Sequence, residues 1–276
     1  LVKKGLTMFQ NLRKSKKLIL IAMACATFAI AGCGSDTTKT TADNGTAVTW
    51  SETFDGTKTD FVVKSAPTHA VSMSQATTEM MLQLGLEDKM AGTAFKEEEI
   101  YPPLQAAYDK VKVLSDKWPS YEVFMSVKPD FATGWPDSFS KRAIPADKMI
   151  AQKVNIWLPE SMLSTKADLE TNFNDMIKLG EIFGVKPKAE EWVAGQRKTL
   201  AAIQDKLKDL PRKRVFIYDS EDGQPFTAFE GYTTNILKLI GADNVMSGLG
   251  VDKTWAKGSW ETVIAQNPDY IIIADY

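Results

Sequence analysis

The chain has 276 residues, with 33 Lys and Arg against 35 Asp and Glu, one histidine and two cysteines. A single histidine, His69, gives no material for a Ser-His triad or a His-rich zinc or manganese site. No P-loop lysine signature and no GxGxxG occurs; Gly248-Leu249-Gly250 is a chance glycine pair.

Residues 1–17 carry Lys3, Lys4, Arg13, Lys14, Lys16 and Lys17 and no acid. Leu18 to Ala31 is an apolar run of 14 residues, short of the roughly 20 that a spanning helix needs. A basic region, a short apolar run and small residues read as a secretory signal. Its end, Ile30-Ala31-Gly32-Cys33-Gly34-Ser35, resembles a bacterial lipobox, which implies cleavage before Cys33 and a diacylglycerol on its sulfur. Residues 1–32 are then a lipoprotein signal peptide, and the mature chain is expected outside the cytoplasm, anchored to the membrane by lipid. Met8 is the alternative start, since Leu1 is an unusual first residue. The other cysteine, Cys25, lies in the discarded segment, so a Cys-based redox or metal site is excluded. Cleavage also removes six basic residues, leaving 27 against 35 acids and a net charge of about −8. An acidic chain without a basic stripe is a poor nucleic-acid binder, and its length suits two domains with sizeable cores.

Residues 33–47 are almost wholly Gly, Ser, Thr, Asp and Asn and read as a flexible tether. From 48 to 165 short apolar runs alternate with helical stretches. Phe61-Val62-Val63 and His69 to Met73 read as strands, Ser74 caps a helix through Leu84 that Gly85 ends, and Met90 to Phe95 is another strand. Glu97 to Lys110 reads as a helix interrupted by Pro102-Pro103. Such alternation predicts an α/β lobe with a parallel sheet and ligand loops at the carboxyl ends of its strands. Those ends carry Lys96, Trp118 and Trp135, the tryptophans beside Pro and Gly, and two of them on one rim favour a flat apolar ligand wall. Lys141-Arg142 reads equally as an anion-facing pair or a solvated loop.

The chain repeats one pattern. Ser120-Tyr121-Glu122 leads, seven residues after the Glu, to Pro129-Asp130-Phe131; Ser259-Trp260-Glu261 leads at the same spacing to Pro268-Asp269-Tyr270. In each, Ser is a good N-cap, Glu meets the positive helix end, Pro stops the helix and a strand follows. The copies lie 139 residues apart, which predicts two similar lobes. A matched pair of surface carboxylates suits docking across a pseudo-symmetric partner. Residues 166–210 between the copies are helical, the second segment long and read as a strut between lobes with Trp192 in the core. The second lobe, 211–276, opens on a strand Arg214 to Tyr218. A Gly/Pro/aromatic loop ending at Tyr232 follows, then a helix Thr233 to Ile240, and Trp255 sits in the loop before the second repeat. Tyr232 and Trp255 join the cleft candidates.

The pieces Ser74 to Gly85, Ser120 to Asp130, Leu179-Gly180-Glu181 to Gly184 and Ser259 to Asp269 resemble the substrate-binding proteins of iron-siderophore, haem and cobalamin ABC importers, the helical-backbone periplasmic binding proteins. The resemblance implies two Rossmann-like α/β lobes with central parallel sheets, joined by a single long helix, and a ligand cleft between them. It implies a monomer that binds a metal chelate, holds no cofactor of its own, and is not an enzyme. It implies that Glu122 and Glu261 meet arginines of a permease dimer. Cleft candidates are Trp118, Trp135, Trp255, Lys96, Arg142 and Tyr232. Trp135 and Trp255 fall where the cobalamin branch carries cleft tryptophans, whereas Lys96 and Arg142 suit an anionic ferric siderophore; family frequency leans to the siderophore. The family continues beyond the strand in which Tyr276 lies, so the second lobe is expected to be incomplete here. The rival readings are a surface enzyme on the same scaffold, for which the sequence offers only scattered carboxylates, and a lipoprotein that only binds another protein.

Overall fold

The computed structural model describes residues 47–274; Cys33, the signal segment and nearly all of the tether lie outside the described residues. The chain opens with an antiparallel hairpin, β1 (Val48–Phe54) and β2 (Thr57–Val63), joined by Asp55-Gly56, both at positive φ (47° and 78°). That is the two-residue turn whose twist matches a hairpin. Then come β3 (Ala70–Met73), α1 (Gln75–Gln83), β4 (Met90–Ala94), α2 (Gln105–Tyr108), β5 (Val113–Ser115), α3 (Tyr121–Ser126), β6 (Phe131–Gly134), α4 (Ala146–Ala151) and β7 (Asn155–Trp157). The strands form one parallel sheet in the order β5-β4-β3-β6-β7, whose direction of growth reverses between β3 and β6. Its central strands β3 and β6 are buried on both faces, as a parallel sheet requires, whereas the edge strand β5 is partly exposed.

Two helices follow, α5 (Leu169–Ile182) and the 22-residue α6 (Lys186–Leu207). They cross where Gly180 faces Ala189, so close that a Cβ on residue 180 would lie 2.7 Å from that of Ala189. The second lobe contains β8 (Lys213–Tyr218), β9 (Ser220–Glu221), β10 (Pro225–Ala228), α7 (Tyr232–Leu239), β11 (Ala242–Asn244), β12 (Trp255–Lys257), α8 (Trp260–Gln266) and β13 (Tyr270–Ile273). Here β11-β8-β13 is a parallel sheet and β12-β10-β9 an antiparallel one. Two α/β lobes with parallel sheets flank a long helix, as the fold class predicted.

The repeated pattern has a structural cause. Ser120 and Ser259 accept from Val123 N–H and Thr262 N–H, capping α3 and α8. Lys128 and Asn267, each just before the proline, turn through positive φ (51° and 46°). Asp130 then accepts from Thr68 and His69 N–H (2.8 and 3.0 Å) at the start of β3, while Asp269 accepts from Arg214 N–H (2.8 Å) on β8. In each lobe the Pro-Asp carboxylate ties the repeated helix-turn-strand to the first strand of the parallel sheet.

Five local readings change. The Glu97 to Lys110 stretch is not a helix: Pro102 and Pro103 lack N–H donors, leaving a 3-10 turn at Pro102–Leu104 and the single turn of α2. Glu97 and Glu98 N–H instead donate to Gln75 Oε1 (2.9 and 2.7 Å). The loop ending at Tyr232 contains β10, and Trp255 lies not in a loop but in β12, paired with Ala228. On α6 only Ala189 and Val193 are buried, while Ile203 is exposed, so the apolar stripe continues past its packing against α5. Trp192 is half-buried, edge-on to Phe173 at 6.3 Å.

Candidate ligand cleft between the lobes

At the reversal point of the first sheet, the chain leaves β6 through Gly134 into Trp135. This is where ligands bind in open α/β sheets. Ser74 caps α1 by accepting from Thr77 N–H, which sets Ala76 and Met80, four residues apart, on the face towards the same point. From β7 the chain turns at Pro159. Glu160 and Ser161 N–H both donate to the buried Asp175 carboxylate of α5 (2.9 Å each), which fixes Met162 at the rim.

The second lobe supplies the opposite wall. Gly231 (φ +84°) opens α7, and a Cβ there would lie 2.8 Å from Thr254 Cγ2 and 3.2 Å from Ser164 O, so only glycine lets the lobes meet this closely. Tyr232 follows it into the cavity. Its hydroxyl is pushed above its ordinary pKa by burial and then by Asp175. Trp255 is braced by Phe226, stacked at 6.2 Å and 20°. Trp135, Trp255, Tyr232, Met80 and Met162 thus line one cavity of about 330 Å³, with an indole from each lobe.

A second cavity of about 760 Å³ lies between Phe95 to Glu98, Asp116 and Lys117 of the first lobe and Asp219 and Ala274 of the second. Trp135 Nε1 donates to Glu97 Oε2 (3.3 Å) and links the two. Partial burial raises the Glu97 pKa, opposed by this bond. Phe95 holds positive φ (60°), unusual for a bulky residue, and stacks on Trp118 at 4.7 Å.

The sequence candidates therefore separate. Trp135, Trp255 and Tyr232 share the inner cavity and Lys96 lines the outer one. Trp118 lines neither: its Nε1 donates to Met73 O (3.2 Å) and its ring packs on the first lobe's core beneath Phe95. Arg142 is exposed, paired with Asp137 and away from both cavities. Met80, Met162 and Glu230 are cavity residues that the sequence reading passed over; the Ala76–Met80 spacing on a capped helix is a signal that could have found the first. Glu122 and Glu261 are exposed in the first turns of α3 and α8. The Glu122 carboxyl is held below its ordinary pKa by its own backbone N–H and by Ser120 Oγ. Among the described residues no group of three His, Cys, Asp or Glu is placed to hold a metal ion, and no helix is long and apolar enough to cross a membrane.

Two lobes closing an aromatic cavity define a ligand-binding protein. The chain belongs to the periplasmic binding protein family, whose profile matches residues 71–276. Members of this extracytoplasmic family are substrate-binding transport proteins, not enzymes. It is similar to the uncharacterized ABC transporter substrate-binding lipoprotein YvrC of Bacillus subtilis, 27% identical over 95% of this chain and 82% of that one. It is 23% identical to the vitamin B12-binding protein of Yersinia pestis, over 76% of this chain and 70% of that one. A crystal structure of a periplasmic binding protein from Veillonella parvula is 96% identical and superposes with a TM-score of 0.83, covering 84% of this chain and 78% of that one. More distant structures sharing the fold are described as an Fe3+-hydroxamate transport protein, a vitamin B12-binding protein and a haem-binding protein.

Proposed function

We propose that this chain is the extracytoplasmic substrate-binding component of an ABC importer. It acts as a monomer tethered by a lipid on Cys33, captures a metal chelate between its lobes and delivers it to a permease. The observation that carries the reading is the inner cavity, where Trp135 and Trp255 approach from opposite lobes with Tyr232 and two methionines around them. Such walls cover a large, partly apolar ligand and exclude water from it. Release requires the permease, engaged through Glu122 and Glu261, which stand at matched positions on the two lobes.

Family frequency makes a ferric siderophore the first cargo to test. A second reading, cobalamin, is favoured by one observation: the two tryptophans that match the cobalamin branch are the two that share the cavity. Isothermal titration of the purified chain against ferric hydroxamate, ferric catecholate, haem and cobalamin tests the reading. One chelate bound at one-to-one stoichiometry with sub-micromolar Kd supports it, and silence from a folded protein across the panel contradicts it. A Cys33→Ser chain that still sediments with membranes would contradict the lipid anchor.

A further inference from the structure

Among the described residues that line the inner cavity none is cationic, and its carboxylate, Glu230, is held by Ser247 Oγ (3.0 Å) and Gly248 N–H (2.7 Å). The outer cavity sets Lys96 and Lys117 among Glu97, Glu98, Asp116 and Asp219. Among the described residues two cations thus face four carboxylates across the cleft, leaving aside Asp219, which Ser220 Oγ holds. Arg142, which would have favoured an anion, is paired with Asp137 and lines neither cavity. Trp135 of the inner cavity donates its indole N–H to Glu97 of the outer one, so a chelate lying on that ring sits beside a carboxylate. Aromatic faces also prefer a neutral or positive neighbour to a negative one.

We propose that this cleft sorts metal chelates by charge, admitting neutral or cationic ones and rejecting anionic ones. The inference rests on the reading of the cleft as a chelate site given above and narrows it: within the siderophores it selects neutral or cationic hydroxamates over catecholates and citrate, and it is equally open to corrinoids without net negative charge. A single uncompensated like-charge pair at about 8 Å, with an effective dielectric of about 20, weakens affinity roughly thirtyfold.

The test is isothermal titration of the purified full chain with a charge series. Ferrichrome and cyanocobalamin are neutral, ferrioxamine B is cationic, and ferric enterobactin and ferric citrate are anionic. The expected result is that the chelate bound is neutral or cationic and that every anionic member binds at least about thirtyfold more weakly. That gap should narrow with added salt and in a Glu97→Gln, Glu98→Gln chain, which keeps acceptors for Trp135 and removes two charges. An anionic chelate bound as tightly as the neutral ones, or a gap that salt and the double substitution leave unmoved, overturns charge selection while leaving the chelate site intact. No binding by any member to a folded chain overturns the chelate site itself, and charge selection with it.

Discussion

The indole of Trp135 donates to Glu97 at 3.3 Å, tying the aromatic wall of the inner cavity to the acidic mouth of the outer one. Trp135 leaves the sheet at its reversal point on a Gly134–Pro136 turn, and this bond to Glu97 is the hydrogen bond that orients its ring. Glu97→Ala is therefore expected to weaken binding of a neutral chelate by severalfold, with the thermal midpoint unchanged. Glu97→Gln, which retains an acceptor, should restore most of it. Equal losses in both variants would refute the positioning role.

The matched carboxylates on α3 and α8 predict a transport defect without a binding defect. Glu122→Ala with Glu261→Ala should abolish uptake in whole cells and leave ligand affinity intact, because both side chains are exposed and line neither cavity. Unchanged uptake in the double variant removes the docking role.

The crossing of α5 and α6 depends on the absence of one methyl group. Gly180→Ala brings two Cβ atoms to 2.7 Å, too close for either helix to keep its place. Overpacking of this kind costs about 1–3 kcal/mol. Denaturant unfolding should show that loss, and Ala189→Gly in the same chain should recover part of it. Full stability in Gly180→Ala would contradict the packing described.

A pH dependence follows from Glu52. On β1 it shares the inward face with Trp50 and Phe54, is buried, and accepts Leu158 N–H at 3.0 Å. Burial, opposed by that bond and aided by Glu160 and Asp175, raises its pKa to about 7. The folded chain therefore holds a proton that the unfolded chain has lost, and stability falls as pH rises from the ordinary Glu value towards 7. The contribution is at most about 3 kcal/mol. Asp175, also raised by burial, acts in the same direction. Glu52→Gln should flatten the fall in thermal midpoint between about pH 5 and 8. A slope identical to that of the parent chain would show that Glu52 is not the group responsible.

What the sequence disclosed was mostly local. The repeated Ser, Glu and Pro-Asp positions announced two lobes because a cap, a helix stop and a strand anchor are each made within a few residues. What escaped depends on distant partners. The strand β10 looked like a loop because Gly and Pro surround it, and it is held by β12 some thirty residues on. Glu52 reads as a surface residue until Leu158, 106 positions away, is seen to donate to it. Arg142 looked available to an anion because its pairing with Asp137 depends on the turn between them. Trp118 and Trp135 sit in similar Pro-containing contexts, yet only the second faces the other lobe. The Asp55-Gly56 hairpin was passed over, although its turn dipeptide and the alternating residues around it carry the signal.

Tryptophan emission reports directly on whether a chelate lies between Trp135 and Trp255. The purified chain would be titrated with ferrichrome and cyanocobalamin beside Trp135→Ala, Trp255→Ala and Trp118→Phe. One of the two chelates is expected to quench saturably, with affinity reduced at least about tenfold in each of the first two variants and preserved in Trp118→Phe. Quenching that survives undiminished in both Trp135→Ala and Trp255→Ala would place the ligand outside the cavity between the two indoles.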